Sequence, residues 1–342
     1  MNATQLRFAA AQVLVAVPVK DEAERITDCL LALARQDGPL PGVVLLVNDT
    51  TDTTMAVVSE IASSMDMPIS AIEHRFKPGE GSAGAARRLA MMHADRLAPE
   101  PAPLLCTDAD GRVAEDWVSR NLHHLRHGAD AVFGRTVIDP LDATQIPPGL
   151  HEADRQECAY ADALDEIAHW IDPDPNDPWP RHVEHSGASI AVARNTYRQT
   201  GGIPGVPLGE DRAFAAALRM IDARVRHATD VTVEVSGRIM GRAAGGMADT
   251  IRRRLLAPDP FLDDALEPVA ARVNRLLRRR ALRSSCAAER RPFGIVWAAA
   301  EIRHPSIPVA VGDLAAEMAH AKRVLMGLRQ PAPMDVEACT IG

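Results

Sequence analysis

Asp108 and Asp110 stand one residue apart at the end of a short apolar run, Pro103-Leu104-Leu105-Cys106-Thr107, with Gly111 directly after them. Two carboxylates emerging together from a buried strand could grip a divalent cation. Hard ions such as Mg²⁺ and Mn²⁺ take oxygen ligands and are commonly held by one or two carboxylates plus substrate phosphates. In open α/β sheets, ligands bind outside the carboxyl ends of the strands. The plainer alternative is a polar turn closing a strand, for which Asp and Gly are common.

Three further clusters would meet this pair at one crevice. Val17-Pro18-Val19-Lys20-Asp21-Glu22 ends a first valine-rich run, and Asn48-Asp49-Thr50-Thr51-Asp52 ends a second. The third, Gly79 to Arg88, is a glycine-rich segment opening a helix, whose free N–H groups and dipole make a ready anion site. Arg87 and Arg88 diverge by about 100° on such a helix, so they cannot both face one ligand. The segment lacks the Gly-x-x-x-x-Gly-Lys-Ser/Thr pattern of a P-loop. Structural readings stand beside these. Asp21 and Glu22, or Glu210 and Asp211, fit the first turn of a helix, and Asp49 and Asp52 fit turn and N-cap positions.

The elements that must position these side chains alternate in the first 135 residues. Strand signals at Gln12–Val19, Val43–Val47, Ile69–Ile72, Leu104–Cys106 and Ala131–Phe133 are separated by helical patterns over Asp21–Arg35, Thr53–Ser64, Ser82–Leu97 and Trp117–Leu125. Such units imply a mostly parallel sheet with right-handed crossovers and flanking helices. Asp139–Gly149 carries three prolines and reads as a loop, Glu152–Trp170 as a helix, and proline-dense Ile171–Arg181 as irregular chain. A strand at Ser189–Ala193, a helix at Asp211–Ile221 and a strand at Val231–Val235 follow. Beyond Ala248 only helical spacing remains, in Arg252–Leu256, Val269–Leu282 and Leu314–Leu328. The expected division is an α/β unit over residues 1–247 and a helical extension over 248–342.

Composition narrows the classes. With 46% hydrophobic and 25% charged residues the chain is globular, and a net charge of −8 argues against a general nucleic-acid binder. The five cysteines, Cys29, Cys106, Cys158, Cys286 and Cys339, are scattered and form no Cys-x-x-Cys pair, which suits a reducing compartment. The first residues lack a signal-peptide pattern, and no apolar stretch approaches the ~20 residues of a membrane helix. A cytoplasmic location is expected.

Across residues 10 to 245 the sequence resembles family 2 glycosyltransferases of the GT-A fold. The resemblance rests on Val17-Pro18-Val19-Lys20-Asp21-Glu22, the Asn48-Asp49-Thr50-Thr51-Asp52 block, Asp108-Ala109-Asp110, and Gly201-Gly202 followed by Gly209-Glu210-Asp211-Arg212. The block after the second strand departs from the usual Asp-Asp-Gly-Ser-x-Asp, with Asp49 kept. The resemblance implies a Rossmann-like sheet and sugar transfer from a nucleotide-diphosphate donor to a hydroxyl acceptor, with inversion. It implies that Asp49 meets the base while Pro18 and Glu22 line the nucleotide pocket. Asp108 then contacts ribose or sugar, Asp110 binds Mn²⁺ or Mg²⁺, and Asp211 is the catalytic base, kept ionised by the helix dipole. His227 resembles a downstream histidine that completes the metal site. Arg87 is taken as a further donor contact, and His185 as a residue that could face the sugar.

Two segments lie outside that pattern. Ser236 to Met247 is glycine-rich with Arg238 and Arg242, and reads either as a loop closing on the diphosphate or as a linker. Arg272, Arg275, Arg278, Arg279, Arg280 and Arg283 make the tail basic, either as a solvated helix face or as a peripheral membrane contact. A homodimer is a further expected partner. A sugar-phosphate nucleotidyltransferase would want a glycine-rich basic loop after the first strand, where Lys20-Asp21-Glu22 stands. A non-catalytic nucleotide-sugar binder would need neither Asp211 nor a metal.

Overall fold

The computed structural model describes residues 7–238, 241, 246–257 and 259–330. One sheet contains β1 (Leu14–Val19), β2 (Gly42–Asn48), β3 (Ile69–His74), β4 (Leu104–Cys106), β5 (Arg112–Val113), β6 (Ala131–Ile138), β7 (Ile190–Val192) and β8 (Val225–Val235), in the order β3-β2-β1-β4-β7-β6-β8-β5. β1 pairs in parallel with both β2 and β4, and β2 in parallel with β3. The order therefore reverses between β1 and β4, which is where such sheets open a ligand crevice. β7 runs antiparallel to β4 and β6, and β5 antiparallel to β8, while β6 and β8 are parallel. The sheet is mixed, with its parallel half carrying β1 to β4.

Both faces of the sheet are covered, which is why β1 and β2 are apolar without alternation. Val15, Val17, Val43 and Leu45 face α1 (Ile26–Ala34) and α4 (Trp117–Arg126), packing on Ile26, Leu30 and Trp117. Leu14, Ala16, Val44 and Leu46 face α3 (Ala83–Leu97) and α8 (Glu210–Met220), against Ala90, Met91 and Phe214. Between these come α2 (Thr54–Ser64), α5 (Pro140–Ala143), α6 (Pro148–Ile171) and α7 (Arg194–Gln199). The chain continues through α9 (Met247–Leu256), α10 (Val269–Glu289), α11 (Phe293–Arg303) and α12 (Leu314–Arg329).

The C-terminal helices share a core with α6. Tyr160, Leu164 and Ile167 pack with Leu266, Leu276, Ala321 and Leu325, and the Tyr160 hydroxyl donates to the Glu267 carbonyl at 2.8 Å. The basic stripe of α10 is largely turned inward. Arg275 grips Glu267 at 2.8 Å, Arg279 and Arg283 meet Asp172 at 3.1 and 3.2 Å, and Arg280 donates to the Ile171 carbonyl. Arg272 lies 3.7 Å from Glu267. Ion pairs inside the molecule take up Arg272, Arg275, Arg279 and Arg283, while Arg278 and Arg280 are exposed. No helix among the described residues is long and apolar enough to cross a membrane.

Several elements differ from the sequence expectation. α1 begins at Ile26 rather than Asp21, because Asp21 has φ +51° and its Oδ1 accepts from the backbone of Thr51 and Asp52. The Asp139–Gly149 stretch contains α5, whose first N–H groups, on Leu141 and Asp142, donate to Asp139. β8 starts six residues early at Val225, hidden from a period-two reading by a register shift opposite Gly134 and Arg135. α11 was not expected, since Pro292, Gly294 and a run of alanines mask its pattern.

Gly294 reports how α11 docks. Asp222, just after α8, accepts from the backbone N–H groups of Phe293 and Gly294 at 3.0 and 2.7 Å. A Cβ at Gly294 would lie 1.8 Å from the Arg219 carbonyl oxygen, a backbone atom that cannot turn aside. Gly294→Ala is expected to destabilise the protein by about 1–3 kcal/mol, read as a lower urea midpoint. An unchanged midpoint would show that α11 does not bear on α8.

Candidate active site

The carboxyl ends of β1, β2 and β4, the first turn of α3 and the N-terminus of α8 surround one cleft of about 1870 Å³. Pro18, Glu22, Asp49, Arg87, Asp108, Asp110 and Asp211 all line it. His227 does not.

Asp49 sits just beyond β2 with φ +46°, a left-handed conformation that Asp tolerates better than most residues. Its N–H donates to the His74 carbonyl at 3.1 Å, and its Oδ1 accepts from the Phe76 N–H at 3.0 Å. The Asn48 amide lies 3.4 Å from Oδ2, the oxygen that faces Gly81. Across the loop, Asp21 accepts from the Thr51 N–H at 2.7 Å and Asp52 from the Thr54 N–H at 2.9 Å, and Thr54 Oγ1 in turn accepts from the Glu22 N–H at 2.8 Å.

Asp108 and Asp110 have different partners. Asp108 meets the Arg87 guanidinium at 2.6 Å, and Arg87 is also paired with Glu210 of α8. Arg87 is buried; burial works against its charge, but Asp108 and Glu210 keep it firmly protonated. Gly187 lies flat on this guanidinium, where any Cβ would fall 2.2 Å from its central carbon. Arg88 points away to the Ile203 carbonyl, so the two adjacent arginines do diverge. Asp110 instead meets Arg238 at 3.0 Å, and Arg238 makes a two-pronged contact with Glu22 at 2.5 and 2.8 Å. Burial first, and Asp108 second, push the Asp110 carboxyl up to about 6. Arg238 is aimed by α5: Asp142 accepts from Ser236 Oγ and Gly237 N at 3.1 and 2.9 Å, and is itself paired with Arg25. Arg242 lies outside the described residues.

Asp211 opens α8 after Gly209, which has φ +72°. Its Oδ2 accepts from the Gly187 N–H at 3.2 Å and its Oδ1 from the Arg212 N–H at 2.7 Å. The expected dipole effect is overcome: burial pushes this carboxyl above the usual range, against the two backbone donors. Arg212 turns to Asp263 and Asp264 at 2.7 and 2.5 Å, tying α8 to the C-terminal segment.

His227, expected as a metal ligand, is not among the residues lining the cleft that holds Asp108 and Asp110. On β8 opposite Phe133, its Nδ1 donates to Asp177 at 2.8 Å and its Nε2 lies 3.1 Å from His185 Nε2. Among the described residues no group of three or more His, Cys, Asp or Glu is placed to hold a metal. Sequence reasoning missed Asp142, Asp177 and the inward turn of Glu210. Only Glu210 carried a signal, its adjacency to Asp211, and that fits an ordinary first turn equally well.

The raised Asp110 has a stability consequence with a definite sign. The folded state holds this proton more tightly than the unfolded chain, so the stability it lends at pH 4 is lost as pH rises through about 6. Asp110→Asn is expected to match the parent protein near pH 4 and to exceed it at pH 7, by at most about 3 kcal/mol. Urea unfolding at the two pH values checks this; a variant less stable at pH 7 would contradict the burial of this charge.

No curated protein matches the chain. Among solved structures, the chain is similar to the mannosyltransferase PcManGT from Pyrobaculum calidifontis in complex with GDP-Man and Mn²⁺, at 21% identity and a TM-score of 0.49, over 92% of this chain and 81% of that one. It is similar to S. aureus TarS at 16% identity and a TM-score of 0.45, over 78% of this chain, and spans only 43% of that protein. For glucosyl-3-phosphoglycerate synthase from Mycobacterium tuberculosis in complex with Mn²⁺, UDP-Glc and phosphoglyceric acid, identity is 14% and the TM-score 0.42, over 75% and 82% of the two chains. The profile of the family described as glycosyl transferase family 2 matches residues 14–187, just over half of the 342-residue sequence and the part that holds β1 to β4 and the acidic pair. The chain belongs to glycosyl transferase family 2.

Proposed function

We propose that the chain moves a sugar from a nucleotide-diphosphate donor to a hydroxyl-bearing acceptor, with inversion. The observation carrying this reading is the convergence of Asp49, Asp110 and Asp211 on one cleft where the strand order reverses. In this reading Pro18 and Asp49 meet the nucleotide, Glu22 closes the pocket beside them, and Asp108 contacts ribose or sugar. Arg87 serves the donor by holding Asp108 rather than by direct contact, since its guanidinium is committed to two carboxylates. Residues 1–247 form the donor-binding and catalytic unit and residues 248–342 its helical support, joined through Arg212 beside Asp211.

Asp110 suits a divalent ion. Glu22 and Asp110 are hard oxygen donors already gathered around a cation of the chain's own, the Arg238 guanidinium. An all-protein cage is not required, because Mg²⁺ and Mn²⁺ are ordinarily completed by substrate phosphates and water. A bound Mn²⁺ or Mg²⁺ supplies Lewis-acid neutralisation of the charge that develops on the departing diphosphate. Asp211 takes the proton of the attacking hydroxyl, and a carboxylate raised toward working pH is the better acceptor for it. Direct displacement needs no second carboxylate as nucleophile, and it inverts the sugar carbon.

A nucleotide-sugar binder without catalysis is the alternative that Asp211 separates. Asp211→Asn should keep donor binding in calorimetry and lose roughly 10²- to 10⁴-fold in transfer. Asp110→Ala should lose the part of donor binding that depends on Mn²⁺. Undiminished transfer by the Asp211 variant would remove the base assignment, and cation-independent donor binding by the parent protein would remove the metal from the scheme.

A further inference from the structure

Arg238 fills a seat that two acids make for a cation. Its Nη1 reaches Glu22 Oε2 at 2.8 Å, while Nη2 by itself touches both Glu22 Oε1 at 2.5 Å and Asp110 Oδ2 at 3.0 Å. Glu22 is buried, and neither acid is paired with another cation among the described residues. Asp108 turns to Arg87 instead, at 2.6 Å. Two neighbouring carboxylates largely out of water need positive charge between them. An Mg²⁺ or Mn²⁺ ion joining the two acids would stand about 2.1 Å from each oxygen, in the space that Nη2 fills. Ion and guanidinium cannot both be seated there.

The backbone leading into Arg238 is held. Asp142 accepts from Ser236 Oγ and from the Gly237 N–H at 3.1 and 2.9 Å, and a Cβ at Gly237 would fall 2.6 Å from Ile138 Cγ2. Arg238 therefore leaves the seat by turning its own side chain, which is partly exposed and lines the cleft. An ion on Asp110 would bring diphosphate oxygens to that same place, and a guanidinium fork matches phosphate oxygens two at a time. We infer that Arg238 is the resident counter-ion of the metal seat, and that it exchanges Glu22 and Asp110 for the donor's diphosphate as a divalent ion takes its place. An ion arriving alone must displace a guanidinium that has no new partner. One arriving with diphosphate supplies the partner, so the site favours ion and donor together over the ion by itself. The inference rests on the metal-dependent sugar-transfer reading and adds the exchange to it.

Mn²⁺ titrations of the full chain, read by electron spin resonance of the free ion, test the exchange without turnover. Arg238→Met should bind Mn²⁺ alone roughly 10-fold tighter than the parent protein does. With whichever of UDP, GDP, ADP, CDP and dTDP the parent binds, the same variant should hold the ion and nucleotide about 3- to 10-fold more weakly. Opposite signs in the two arms are the signature. A guanidinium that only braces the fold would weaken both, and one that meets phosphate without filling the seat would leave binding of the ion alone unchanged; either result overturns the inference. Arg238→Lys keeps the charge, should the methionine variant not fold. An ammonium gives up the two-pronged grip on Glu22, so this variant too should hold Mn²⁺ alone more tightly than the parent, and equal or weaker binding overturns the inference. If Mn²⁺ binds the parent neither alone nor with any of these nucleotides, the metal-dependent reading falls and the exchange with it. Wrong signs from the variants, with Mn²⁺ and nucleotide still bound by the parent, remove the exchange alone.

Discussion

A guanidinium sealed between two carboxylates is the constraint that organises this molecule. Arg87 reaches from α3 to Asp108 at the end of β4 and to Glu210 at the start of α8. Leaving any of these charges buried and unmatched would cost several kcal/mol, so the three elements have to meet at one point. Meeting there places Asp211, the next residue, on the same cleft as Asp110. It also explains Gly187, because the guanidinium occupies the space a side chain would need. The ion pair therefore acts less as a source of stability than as a device of position.

A second guanidinium divides the acidic cluster into environments. Arg238 matches Glu22 and Asp110 on one side, while Arg87 matches Asp108 on the other. Crowded and largely out of water, Asp110 and Asp211 hold their protons more tightly than free carboxylates do. Neighbouring carboxylates held in unequal surroundings are how one site assigns them unequal roles. The second guanidinium is aimed from a distance, through Asp142 on a four-residue helix that the proline content of its segment disguises as loop.

The C-terminal helices reach the chemistry through packing and charge. They share a core with α6, and Asp263 and Asp264 hold Arg212 next to Asp211. The arginine stripe of α10, which resembles a lipid-binding face when read linearly, is consumed by Glu267, Asp172 and a backbone carbonyl. Arg283 additionally lies over the Phe293 ring at 4.9 Å, joining α10 to α11. Linear charge density could not foretell this, since Asp172 stands more than a hundred residues from the arginines it pairs with.

Much of the fold was legible because its signals are local. Continuous apolar runs at Leu14–Val19 and Gly42–Asn48 can only be strands covered on both faces, and carboxylates directly after such strands must sit at the ends where an open sheet binds ligands. That logic alone put Asp49, Asp108 and Asp110 at the cleft they line, whereas Pro18 came from the resemblance to family 2 glycosyltransferases. Tertiary structure decided what each acid and cation is paired with, because hydrogen bonds and ion pairs join residues far apart in sequence. It spent Arg87 on Asp108 and Glu210, set Arg238 against Asp110, and put His227 on β8 beside Asp177 and His185. Periodicity and spacing describe which way a side chain leaves its own element; the partner it finds there is settled only when a second element is packed against the first.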